Sequence, residues 1–122
     1  MKAINFIVTA VIVVISGAFT NAQSHDHSQM VSTKTESIKV GGNCDMCKAR
    51  IEKAAKIEGV NKAKWNKDTK ILTLVYDPSI VNSDAILSKV AAAGHDTEKF
   101  KASEEAYNNL PGCCKYERKS KI

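Results

Sequence analysis

Cys44 and Cys47, three positions apart, are the residues of this 122-residue chain best placed to do chemistry. Gly41-Gly42 breaks the chain just before them, and a helical pattern starts at Cys44. Two thiolates at this spacing can converge on one ion. At a helix N-terminus, unpaired N–H groups and the positive dipole end lower the thiol pKa. The same dipole offsets the surplus negative charge of two thiolates on a monovalent ion. Soft sulfur ligands select soft ions, Cu(I) above all. Disulfide oxidoreductases and zinc ribbons also use Cys-x-x-Cys, so the pair by itself leaves those readings open.

A second pair, Cys113-Cys114, follows Leu110-Pro111-Gly112. Bridges within either pair would close tiny loops and constrain the unfolded chain little, whereas bridges between the pairs stay open. Four cysteines could also make a tetrahedral zinc site. Idle adjacent thiols would be an oxidation liability. Cys113 and Cys114 are therefore expected to bind metal, as a secondary site or as a lid over Cys44 and Cys47. Pro111-Gly112 favours a turn that presents the pair outward. Few apolar residues follow Lys101, so this segment is expected to add nothing to the core. Met46 reads as exposed or packing rather than as a ligand. His25, His27 and Met30 sit in polar sequence without periodicity and read as part of a solvated linker, although His-x-His can collect copper or zinc weakly.

The elements that must position these residues follow from hydrophobic period and punctuation. Residues 35–41 alternate as a strand, with Ile38 and Val40 on one face. Residues 44–58 read as a helix carrying Cys47, Ile51, Ala54 and Ala55 on one side, stopped by Gly59. Residues 60–66 and 70–76 are strands: Ala63 and Trp65 share a face, as do Leu72, Leu74 and Tyr76. Asn82 or Ser83 caps a second helix with an Ile86, Leu87, Val90, Ala93 stripe, ended by Gly94. Residues 95–101 read as a weak fourth strand containing Phe100. The order β-α-β-β-α-β implies an α+β, ferredoxin-like sandwich: a four-stranded antiparallel sheet with both helices on one face.

Composition bounds the rest. The chain is 43% hydrophobic and 25% charged, which suits a packed globule and excludes a low-complexity chain. Its length excludes a large multidomain enzyme or a polytopic transporter. Met1-Lys2, the apolar run from Ile4 to Phe19 and the small residue Ala22 have the layout of a secretory signal peptide over residues 1–22. Residues 23–34 are then a flexible polar leader, residues 35–101 the folded domain and residues 102–122 a cysteine-containing tail. The exported protein is expected in the periplasm or secreted, without stable membrane insertion after cleavage. The net charge of +5 comes largely from lysines. The strands lack the aromatics that stack bases, so a solvated face or an acidic partner fits better than nucleic acid. The sequence contains no Ser-His-Asp pattern, phosphate loop or paired catalytic carboxylates, and no enzymatic activity is expected.

Cys44-Asp45-Met46-Cys47 between a strand and a helix, then Glu58-Gly59-Val60, Val75-Tyr76-Asp77-Pro78 and Ala93-Gly94-His95, resembles the heavy-metal-associated domain family over about residues 35–101. The family includes copper chaperones, N-terminal modules of copper-transporting ATPases and the periplasmic mercury-binding protein. The resemblance implies that Cys44 and Cys47 bind the ion. It also implies that the partner is a metal-transfer protein or a membrane transporter. Cu(I) is the expected ion, with Hg(II) or Zn(II) as alternatives. The departures are two. Gly42-Asn43 stands where the family has Met-Thr, which implies a looser metal loop. His95 stands where an aromatic is usual, beside the metal site, and is a candidate third ligand. The competing readings are a mercury-binding periplasmic protein, a Cys-x-x-Cys thiol-disulfide oxidoreductase and a structural four-cysteine zinc protein.

Overall fold

Alternation of apolar and polar residues builds three antiparallel strands: β1 (Lys34–Lys39), β2 (Val60–Trp65) and β3 (Ile71–Tyr76), in the spatial order β1-β3-β2. The computed structural model describes residues 32–120. The expected signal peptide and the leader residues His25, His27 and Met30 lie outside the described residues. One sheet face carries Ile38 from β1, Leu72, Leu74 and Tyr76 from β3, and Ala63 and Trp65 from β2, all buried. Val60 and Ala63 are an odd number of positions apart, yet both are buried. A register shift between Val60 and Lys62 places an extra residue there, which turns both side chains inward.

Helices α1 (Asp45–Ala55) and α2 (Ser83–Ala92) pack on each other and complete the core. α1 contributes Cys47, Ile51 and Ala55; α2 contributes Ile86, Leu87, Val90 and Ala91. Each fully buried Leu or Ile contributes about 1.5–3 kcal/mol. The Asn82 side chain caps α2 by accepting the Ala85 N–H at 2.8 Å. Gly94 closes that end with φ +104°, a conformation that glycine adopts without steric cost.

Among the described residues the sheet has three strands, not the expected four. The chain after α2 does run along β1: Gly41 N–H donates to Asp96 O at 2.8 Å, and Glu98 N–H to Lys39 O at 3.2 Å. Pairing stops at one bridge, Val40 with Thr97. The cause is local. Thr97 Oγ1 accepts the N–H groups of Phe100 at 2.9 Å and Lys99 at 3.3 Å, while Thr97 N–H donates to Phe100 O at 2.7 Å. A closed turn takes up the groups that a longer ladder would need.

The second correction concerns the C-terminal segment. It forms α3 (Glu104–Asn108) and a single 3₁₀ turn (Gly112–Cys114). Leu110, Cys114 and Tyr116 are buried in the same core as the sheet and helices. The expectation that this segment adds nothing to the core therefore fails. Its apolar residues are few, but polar anchors set them in place. The Arg118 guanidinium grips the fully buried Asp96 carboxylate in two hydrogen bonds of 2.9 and 2.8 Å, and donates a third, of 2.7 Å, to Ala102 O. Tyr116 Oη accepts the Asp96 N–H at 2.7 Å and donates to Gly94 O at 3.0 Å. Among the described residues, no helix is long and apolar enough to cross a membrane.

Candidate metal centre

Cys44 occupies the N-cap of α1 in extended backbone geometry, and its side chain caps no N–H group. Cys47 lies one turn in and is wholly buried. Their sulfurs are 3.5 Å apart. The Asn43 N–H donates to Cys47 Sγ at 3.3 Å, so the loop backbone already points a donor at sulfur. The nearby Cys47 backbone N–H at the helix N-terminus, with smaller contributions from the neighbouring thiols, brings the Cys44 thiol down to about 7.

The loop that carries the pair is pressed between two aromatic rings. A Cβ on Gly41 would lie 2.6 Å from the Tyr116 ring, and one on Gly42 would lie 2.9 Å from the Trp65 indole. Gly41-Gly42 is therefore a close-approach device as well as a break. Trp65 Nε1 donates to Val40 O at 3.1 Å, which holds the indole beneath the loop. The loop expected to be loose for want of a methionine is floored by tryptophan instead.

The structure brings one residue of the second pair to the first. Cys114 Sγ lies 3.8 Å from Cys44 Sγ, and the sulfurs of Cys44, Cys47 and Cys114 all lie within 4.8 Å of one another. Burial, reinforced by the Cys47 and Cys44 sulfurs, pushes the Cys114 thiol well up from its ordinary value. Cys113 stays outside this trio. It is exposed, with Sγ 3.4 Å from Sδ of Met46, which is itself exposed. Adjacent residues on a tight turn project in different directions, so the outward presentation holds for Cys113 alone. All four cysteines are free thiols.

His95 does not join this cluster. It is fully buried, its ring stacks on Tyr116 at 5.7 Å, and Nδ1 lies 2.8 Å from Gly41 O. A carbonyl partner makes Nδ1 the protonated nitrogen and leaves Nε2, which has no partner among the described residues, as the lone-pair atom. Burial lowers the His95 pKa, against the opposing pull of the Gly41 carbonyl. The residue supports the metal loop from beneath, where the family pattern suggested a ligand.

Tyr116, Asp96 and Arg118, which position Cys114, were not legible as site residues. Tyr107 Oη also donates to Tyr116 O at 2.6 Å, and Asn43 Nδ2 donates to Lys115 O at 3.1 Å, tying metal loop to tail. One signal was available: Leu110, Cys114 and Tyr116 are the tail's core residues, and the last two alternate like a strand.

The heavy-metal-associated domain profile matches residues 37–96, a span that holds both Cys44 and Cys47. Residues 37–96 form a heavy-metal-associated domain. Over 67 residues it is 34% identical to a copper-exporting P-type ATPase of Staphylococcus saprophyticus, which covers 54% of this chain and 8% of the transporter. Over 78 residues it is 35% identical to a zinc-transporting ATPase of Synechocystis, covering 62% of this chain and 11% of that protein. The chain thus spans only a small part of the length of these relatives. Among solved structures, the CopZ metallochaperone aligns with a TM-score of 0.51 at 29% identity, covering 52% of this chain and 98% of that one. Oxidized MerP from Ralstonia metallidurans aligns at 0.51 and 26%, covering 54% of this chain and 94% of that one. In this heavy-metal-associated domain the profile ends at Asp96, so the segment that delivers Cys114 lies beyond the matched span.

Proposed function

We propose that this chain is an exported carrier of a soft metal ion, Cu(I) foremost, which it holds on Cys44 and Cys47. It passes the ion to a metal-transfer protein or a membrane transporter. The observation that carries this reading is the pair of sulfurs 3.5 Å apart at the start of α1, with the Cys44 thiol brought down to about 7. Soft thiolates at that spacing suit a monovalent soft ion, and the helix N-terminus offsets the negative charge that remains. The likeness to copper-exporting transporters supports the same ion, and that to a zinc-transporting ATPase keeps Zn(II) as the alternative.

Transfer follows from the difference in exposure. Cys44 is partly exposed and Cys47 is buried. An incoming thiolate reaches the ion from the Cys44 side, bonds to it, and displaces Cys44 while Cys47 still holds. Each sulfur that leaves takes back a proton from solvent, and no electron moves. This is ligand exchange on a binding module, without turnover of a substrate.

Anaerobic titration of the reduced protein with Cu(I), Hg(II) and Zn(II) against competing chelators tests the reading. The expected outcome is one tightly held Cu(I) that moves to an acceptor with its own thiol pair. Tight Zn(II) beside weak Cu(I) would overturn the choice of ion. Retention of residues 1–22 in a membrane fraction would overturn export.

A further inference from the structure

We propose that Cys114 is a third ligand, so that the cargo site is a three-thiolate site completed by the C-terminal segment. This rests on the soft-metal reading above and specifies how that metal is held. A metal–sulfur bond is about 2.3 Å long at thiolate sites. Two sulfurs holding an ion in a straight line are then about 4.6 Å apart, while three arranged around it in a plane are about 4.0 Å apart. The separations seen are 3.5 Å for Cys44–Cys47 and 3.8 Å for Cys44–Cys114. They lie nearer the three-sulfur figure. All three sulfurs lie within 4.8 Å of one another, close enough to share one ion.

Independent observations show that Cys114 is held in place. Its N–H donates to Pro111 O at 2.8 Å, closing the 3₁₀ turn. Two residues on, Tyr116 is locked by Asp96 and Gly94, and Arg118 by the Asp96 carboxylate. A side-chain bond from Asn43 to Lys115 O joins this turn to the metal loop itself. A thiol held beside two others acts at high effective concentration, and the third bond resists loss of the ion. Each of the three thiols that still carries a proton releases it to solvent as its sulfur bonds to the ion, with no change in oxidation state. During transfer, a partner thiolate can replace one sulfur while two still hold the cargo.

The deciding measurement is X-ray absorption at the copper edge, on the reduced full chain loaded anaerobically with one equivalent of Cu(I). Three sulfurs about the copper are expected in the unaltered protein and in Cys113→Ser, whose thiol lies outside the trio. Two are expected in Cys114→Ser, with affinity by chelator competition falling roughly 10- to 100-fold. Two sulfurs in the unaltered protein would overturn the proposal, whatever the variants do, and leave the two-cysteine carrier standing. Failure to hold Cu(I) tightly at all would overturn the carrier reading itself.

Discussion

The two cysteine pairs of this molecule are similar in sequence and opposite in construction. Cys44 and Cys47 sit one helical turn apart, so a single element aims both sulfurs at one point. Cys113 and Cys114 are adjacent on a 3₁₀ turn, which sends one into the core and the other to solvent. The first pair is placed by local geometry. The second is placed by contacts made far along the chain, through Asp96, Tyr116 and Arg118. A local device can be read from spacing alone, whereas a tertiary one depends on partners whose relation is invisible until the chain folds.

The largest expected effect breaks the contrast at its local end. Replacing both Cys44 and Cys47 by Ser leaves Cys114 as a lone thiolate without chelation. Cu(I) affinity should fall by at least about 10³-fold. Cys113→Ser should change it within a few-fold, because that sulfur faces Met46. Competition against a Cu(I) chelator measures both. Equal losses in the two variants would mean that the pairs share the work.

The next effect tests whether the tail is held as argued. Arg118→Met leaves the Asp96 carboxylate buried without its cation. Removing one partner of a buried pair costs about 3–5 kcal/mol. Urea unfolding should register most of this, with Cu(I) affinity falling as Cys114 loosens. Unchanged stability would return the segment to the status of an appendage. Gly41→Ala should have a smaller effect. The new methyl would meet the Tyr116 ring at 2.6 Å, and overpacking of this kind costs about 1–3 kcal/mol. Gly112→Ala is the control, since no atom lies within 4 Å of a Cβ there.

These experiments follow the line between what the sequence disclosed and what it withheld. Strands β1 to β3, both helices, a cap at Asn82 or Ser83 and the inward faces were legible because each depends on residues within one turn or one alternation. The Cys44–Cys47 pair was legible for the same reason. The fourth strand was misread because Thr97 competes for its own backbone, and a hydroxyl's preference for a turn over a ladder leaves no periodic trace. Apolar content alone understates the tail, because the groups that anchor it are polar. One arginine meeting one buried aspartate, 22 residues away in sequence, does what a longer apolar stretch would otherwise have to do. His95 was assigned by family position. A burial strong enough to seat it against Tyr116 could not be read from its neighbours.

The smallest expected effect separates the two regions by pH. His95 is buried on the tail side, and burial lowers its pKa below the usual imidazole value of 6.5. The unfolded chain therefore takes up a proton near pH 6.5, where the folded chain does not. Where the unfolded state binds more protons, stability rises with pH. The contribution is fully present above pH 6.5 and declines as pH falls towards the folded value. One proton limits the slope to about 1.4 kcal/mol per pH unit. Asp96 adds its own share at lower pH. Burial would raise its pKa, but the Arg118 hydrogen bonds and charge and the Ala102 N–H outweigh that and hold it below the usual carboxylate value. Its stabilisation is present above the unfolded value and lost as pH falls through the folded one. Urea unfolding at pH 7.5 and 5.5 should show a weaker protein at the lower pH. In His95→Gln the difference should shrink, because an amide can still donate to Gly41 O but does not titrate in this range. An undiminished difference in His95→Gln would place the titrating group elsewhere and remove the histidine from beneath the metal loop as a source of acid lability.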